Sequence, residues 1–125
     1  MKELENFLEK IERVMQKNAQ YKFEAYSFVM AALHHTVSKL AAPRHISGPE
    51  LLTGIRDYAL EQFGPIARTV LNYWGIHETE DFGKIVFALV EVGILRKQPE
   101  DKIEDFRNVY DFKTAFDRGY EIADE

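Results

Sequence analysis

Thr79-Glu80-Asp81-Phe82-Gly83-Lys84-Ile85-Val86-Phe87-Ala88-Leu89-Val90-Glu91-Val92-Gly93-Ile94-Leu95-Arg96-Lys97-Gln98-Pro99-Glu100-Asp101 is the stretch on which the fold turns. Its first half repeats with the period of a helix. Phe82, Ile85, Val86, Leu89 and Val90 fall on one face, and Lys84 and Glu91 fall away from it. Thr79 can cap the start, while Glu80 and Asp81 suit the positive end of the helix dipole. Gly93 ends the pattern. The period then changes. Ile94 to Lys97 reads as a strand, Gln98 to Asp101 as a turn, and Phe106 to Asp111 as the returning strand. A helix that delivers the chain into a hairpin is the outline of a winged helix.

Working outward, Ser47-Gly48-Pro49-Glu50 is a strong helix start. The Ser47 hydroxyl can accept from the Glu50 amide, the Glu50 carboxylate can reach back, and Pro49 sits where its missing N–H costs nothing. The helix carries Leu51, Leu52, Ile55, Tyr58 and Ala59 inward and ends near Phe63, with Gly64 as its cap. Gly54 inside it costs about 1 kcal/mol relative to alanine, which close approach of another helix would explain. Pro65 opens a short helix bearing Ile66, Val70, Leu71 and Trp74, closed by Gly75.

Towards the start of the chain, Leu4, Phe7, Leu8, Ile11, Val14 and Met15 predict an amphipathic helix over about 3–17. Docking of that helix on the core is favoured over a role in dimerisation. Ala25, Phe28, Val29, Ala32, Leu33, Thr36, Val37 and Leu40 predict a second helix over about 24–41, stopped by Pro43. Phe112 and Phe116 can anchor a last short helix, and the acidic end from Tyr120 to Glu125 should fray.

The expected fold is therefore mainly α, in the α+β class, as a single domain over 1–125. A helix pair (3–41) packs on a winged-helix-like unit of three helices and a β-hairpin (48–111), followed by a C-terminal tail (112–125). The predicted core includes Leu8, Ile11, Phe28, Leu33, Leu52, Ile55, Val70, Trp74, Phe82, Val86 and Leu89.

The composition is that of a globular chain, with 46% hydrophobic and 13% aromatic residues. The absence of cysteine excludes disulfides, thiolate metal sites and cysteine nucleophiles. The first residues lack the apolar core of a signal peptide, and no apolar run approaches the length of a membrane span. A cytoplasmic protein without membrane contact is the expectation.

A net charge of −5 works against nucleic-acid binding. The predicted recognition helix, 80–92, has Lys84 as its cation against Glu80, Asp81 and Glu91. The predicted wing, 94–111, sets four basic residues against five acidic ones, so few phosphates could be neutralised. A nucleic-acid binder would draw on Arg44, Arg56, Arg68, Lys84, Arg96 and Lys97, with His45 nearby.

No catalytic or metal-binding signature emerges. Adjacent His34 and His35 point about 100° apart on a helix and cannot chelate one ion together. His45 and His77 sit in connections, so a metal would need distant carboxylates to converge on them. Asp81-Phe82-Gly83 matches the kinase metal-binding tripeptide without any other kinase element, so Phe82 reads as core and Gly83 as a point of close packing. The isolated glycines form no phosphate loop. No cofactor is expected. A small-ligand protein or enzyme would need a deep pocket lined by His45, His77, Tyr58 or Asp57.

The runs His45-Ile46-Ser47-Gly48-Pro49-Glu50-Leu51-Leu52, Glu61-Gln62-Phe63-Gly64, Trp74-Gly75-Ile76, Glu80-Asp81-Phe82-Gly83-Lys84-Ile85-Val86-Phe87 and Val109-Tyr110-Asp111-Phe112 resemble a family of small uncharacterised bacterial proteins. The resemblance spans roughly residues 21–116. It implies a free-standing bacterial cytoplasmic protein and transfers no functional residue.

The functional expectation is a non-catalytic protein-interaction module, with self-association as one form of it. The alternative is a nucleic-acid-binding winged helix. Tyr73 and Phe87 fall off the main apolar stripes of their helices. Exposed together, they would mark a surface for a protein partner.

Overall fold

The computed structural model describes residues 1–117, so the expected fraying from Tyr120 to Glu125 lies outside the described residues. The chain forms α1 (Lys2–Lys17), α2 (Phe23–Ser38), α3 (Gly48–Phe63), α4 (Ala67–Tyr73) and α5 (Thr79–Glu91). A 3₁₀ turn (Gly64–Ile66) leads into α4, a second (Ile103–Phe106) follows α5, and Lys113–Asp117 closes as a short π-type turn.

The helical expectation holds. The Ser47 capping box forms as read: the Ser47 hydroxyl accepts from the Glu50 amide at 3.2 Å, and a Glu50 carboxylate oxygen accepts from the Ser47 amide at 2.8 Å. The Arg44 hydrogen bond, and then the Ser47 amide, hold the Glu50 pKa down at about 2. Gly54 is where α2 crosses α3. A Cβ there would fall 2.0 Å from the Thr36 Oγ1, closer than any real contact. The core gathers Tyr26, Phe28 and Val29 of α2, Leu52 and Ile55 of α3, Leu71 of α4, and Phe82, Ile85 and Leu89 of α5.

The hairpin does not form: among the described residues there is no strand. The reason is where the backbone donors go. Gly93, at φ +82°, ends α5 with its amide on the Val90 carbonyl at 3.0 Å, and the Ile94 amide reaches the Leu89 carbonyl at 2.9 Å. This is the Schellman closure, in which an apolar residue after the glycine packs back on the helix. The Leu95 amide also goes to Leu89. Ile94 and Leu95 thus close a helix, and their donors cannot serve a ladder. Further on, Asp101 accepts from the Gln98 amide at 2.8 Å, and Asp105 accepts from the Lys102 amide at 3.1 Å. Carboxylates this close in sequence offer the backbone turns in place of a sheet. Asn108, at φ +50°, bends the expected second strand out of line.

The segment is nonetheless firmly seated. Phe106, Phe112 and Phe116 are buried, and Phe112 meets Phe116 edge-on at 5.1 Å. The Tyr110 hydroxyl donates to the Leu52 carbonyl at 2.8 Å. Thr79 was expected to cap α5, and it lies instead inside the first turn. Its buried hydroxyl donates to the Phe106 carbonyl at 2.6 Å and accepts from the Val109 amide at 3.1 Å. Glu78 takes the cap position, and the Asp81 carboxylate accepts from the His77 and Glu78 amides at 2.8 and 3.1 Å.

The other correction concerns α1. Leu8, expected in the core, is 50% exposed, and only Ile11 and Val14 of this helix are buried.

Candidate functional sites: an open helix face and a basic-rimmed cleft

Two surfaces stand out, and they arise from opposite ends of the chain. The first is α1. At 100° per residue, Ile11 and Val14 share the face that meets the core, while Leu4 and Leu8 form a neighbouring stripe turned outward, with the half-buried Met15 at its inner edge. Leu4 and Leu8 are about half exposed, and Phe23 at the start of α2 continues the apolar surface at 42% exposure. Leu8, Ile11, Met15 and Phe23 border an open groove together with Glu12 and Gln16. Glu5 lies one helical heptad before Glu12, so the open side of the stripe is edged by carboxylates.

The second surface is a cleft of about 240 Å³ between α2, α3, α5 and the 94–106 segment. Its floor is apolar: Ile46, Leu51 and Phe106 are buried, and Leu33, Val37, Val86, Phe87 and Leu95 half-buried. Arg44, His45, Arg96, Lys97 and Asp105 are exposed at its edge, and Asp101 is half-buried beside them. The anions there are engaged. Asp101 pairs with His45 Nε2 at 2.7 Å and accepts the Gln98 amide, and Asp105 caps the 3₁₀ turn. Arg44 grips Glu50 through two nitrogens, at 2.8 and 3.2 Å. Arg96 and Lys97 have no carboxylate partner among the described residues.

The back wall depends on two glycines. A Cβ on Gly83 would stand 2.7 Å from Phe106, and one on Gly48 would stand 3.0 Å from it. The Phe106 ring fills the slot both leave. Phe87 meets it edge-on at 6.2 Å.

The residues singled out from the sequence are distributed differently from expectation. Tyr73 is 71% exposed, with the Lys22 ammonium 4.9 Å above its ring. Phe87 lines the cleft, so the two do not make one patch. Of the six cations considered for nucleic acid, Arg44, Arg96 and Lys97 meet at the cleft. Arg56 pairs with Asp57 and Arg68 with Asp117, while Lys84 is exposed on α5. Of the four polar residues considered for a pocket, only His45 reaches the cleft. His77 hydrogen-bonds Asn72 at 3.1 Å, and His35 lies beside Glu61 on the other side of α3.

Sequence reading missed the buried role of Asp81. Besides capping α5, it accepts the Tyr21 hydroxyl at 2.5 Å. Burial, reinforced by that carboxylate, pushes the Tyr21 pKa well above its ordinary value. Asp81 thus ties the α1–α2 connection to α5 and is withdrawn from the surface. Its position near a helix start was the available signal.

Among the described residues no helix is long and apolar enough to cross a membrane. No family model, curated protein or solved structure matches this chain.

Proposed function

We propose that this protein is a non-catalytic protein-interaction module, and that it docks a partner helix along the outer stripe of α1. The observation that carries this reading is the second apolar stripe of that helix. Leu4 and Leu8, with Phe23 beside them, stay about half exposed although Ile11 and Val14 already anchor α1 to the core. Exposed apolar side chains in one contiguous groove mark a docking surface more often than singly scattered ones do. A groove edged by one helix takes the apolar face of another.

The charge at the edge selects the occupant. With Glu5 and Glu12 along the open side, the complement is an amphipathic helix flanked by lysine or arginine. A second copy of the chain is a poorer fit. Antiparallel two-fold pairing of the stripes would set Glu5 of one copy against Glu12 of the other.

The test uses two synthetic amphipathic helices of leucine with lysine and of leucine with glutamate. The lysine peptide should bind and perturb the NMR signals of Leu4, Leu8, Met15 and Phe23, and the glutamate peptide should not. Leu4→Lys combined with Leu8→Lys should abolish binding while leaving the circular dichroism unchanged, and the protein alone should sediment as a monomer. Binding that survives the double substitution would overturn the reading, as would self-association through this face.

The alternative, a nucleic-acid binder, draws on the convergence of Arg44, Arg96 and Lys97. It lacks a cation-rich α5, where Lys84 stands alone and Glu80 is held by Arg107 at 2.9 Å. Preferential binding of a DNA duplex at moderate salt, lost on Arg96→Gln with Lys97→Gln, would put it first.

A further inference from the structure

We infer that the cleft between α2, α3, α5 and the 94–106 segment is a binding site for a small amphipathic monoanion: an acyl chain or aromatic ring ending in a carboxylate. This site is separate from the α1 groove, and the inference does not rest on the reading given to that helix.

Size, lining and charge each contribute. A dry apolar cavity of roughly 150 Å³ holds one benzene ring. Scaled to about 240 Å³, the cleft has room for a ligand of roughly ten heavy atoms. The floor is made by Leu51, Val86, Phe87, Leu95 and Phe106, which present no polar side-chain atom to the ligand. An apolar body is therefore required, because a polar one would leave its hydrogen-bonding groups unmatched.

The rim then fixes the sign of the head group. Arg44 is held by Glu50, so the cations left at the rim are Arg96 and Lys97, and neither lies within ion-pair distance of a carboxylate among the described residues. Asp101 and Asp105 are already satisfied by His45 and by backbone amides. Arg96 and Lys97 are left to act on a bound anion, and an arginine can hold a carboxylate through two parallel hydrogen bonds. A cationic head would meet the Arg96 guanidinium and the Lys97 ammonium, neither of them paired with a carboxylate among the described residues. A neutral head would leave them without an ionic partner. A nucleic-acid strand fits less well, since the apolar floor is recessed and Phe87 is half-buried, so no aromatic platform faces outward for base stacking.

Octanoate is the probe, with octanol and octylamine as equal-length controls and a single-stranded oligonucleotide as competitor. Titration is followed by NMR on the intact protein. Octanoate should perturb Ile46, Phe87 and Leu95 with a dissociation constant on the order of 0.1–1 mM. Octanol and octylamine should bind at least about tenfold more weakly, the loss expected when a charge-assisted hydrogen bond is removed. Arg96→Gln with Lys97→Gln, two surface changes that leave the core untouched, should weaken octanoate about tenfold and leave octanol unchanged. The Leu4→Lys, Leu8→Lys variant should bind octanoate as the parent does. Equal affinity for octanol would overturn the inference. So would perturbations confined to α1, insensitivity to the Arg96 and Lys97 changes, displacement by the oligonucleotide at equimolar ratio, or absence of binding.

Discussion

The helix α1 and the segment 94–117 present opposite combinations of regularity and anchorage. The helix α1 is an unbroken run of sixteen residues, yet its buried side chains are Ile11 and Val14 alone. Its ion pair to α5, Lys17–Glu91 at 2.9 Å, has both side chains 63% exposed, and such surface pairs contribute little. The segment 94–117 has almost no regular structure. It nevertheless sends Phe106, Phe112 and Phe116 into the core and fixes its backbone through Thr79. Regular backbone geometry and attachment to the fold are therefore separate properties. Attachment follows the apolar area each element buries, and of these two the one that buries less is the one free to bury more against a partner.

The largest effect that should sharpen this contrast is alkaline. Burial raises the Tyr26 pKa to about 12, and raises those of Tyr21 and Tyr110 further. A raised folded-state pKa means the folded state resists losing the proton. The stability it gives is full below the ordinary value near 10, and it drains away as pH climbs through about 12. Denaturation midpoints followed beside tyrosinate absorbance should therefore hold to pH 10 and collapse by about pH 12. Gradual titration with the fold intact would break the account of the buried hydroxyls.

Next in size, Phe116→Ala should cost about 3–5 kcal/mol in equilibrium denaturation, despite lying near the end of the described chain. A cost within about 0.5 kcal/mol would mean that the segment is not anchored as described. Gly83→Ala should follow at about 1–3 kcal/mol, because the added methyl meets the Phe106 ring at 2.7 Å. The same substitution should push Phe106 into the cleft and weaken octanoate, which calorimetry would register. The smallest effect is Leu8→Gln, expected within about 0.5 kcal/mol of the parent. A loss above about 2 kcal/mol would return Leu8 to the core and remove the basis for an open stripe.

The sequence disclosed what is local. The start of α3 is encoded in four consecutive residues, so its capping box could be read directly. The apolar stripes of α2, α3 and α5 repeat at one period each, and they face the core where expected. On α1 two apolar stripes overlap, one through Ile11 and Val14 and one through Leu4 and Leu8. Periodicity marks both and does not tell which meets the core. The hairpin failed for a related reason. Ile94 and Leu95 suit a strand, but they also suit the residues that seal a glycine-ended helix, and only the destination of their amides separates the two. The cleft was least legible, since its walls come from α2, α3, α5 and a turn brought together by folding. Its sequence traces were scattered: Phe87 off the main stripe of α5, and Arg44, His45, Arg96 and Lys97 in two separate connections, with nothing local to say that they meet.

Hydrogen–deuterium exchange of the free protein, repeated with the leucine–lysine helix bound, tests the docking role of α1 most directly. The amides of α1 should exchange well before those of α2, α3 and Tyr110 to Phe116, and added peptide should slow exchange on α1 and around Phe23 alone. Protection of free α1 equal to that of α3, or slowing centred on α5, would contradict the reading of α1 as the open face of this fold.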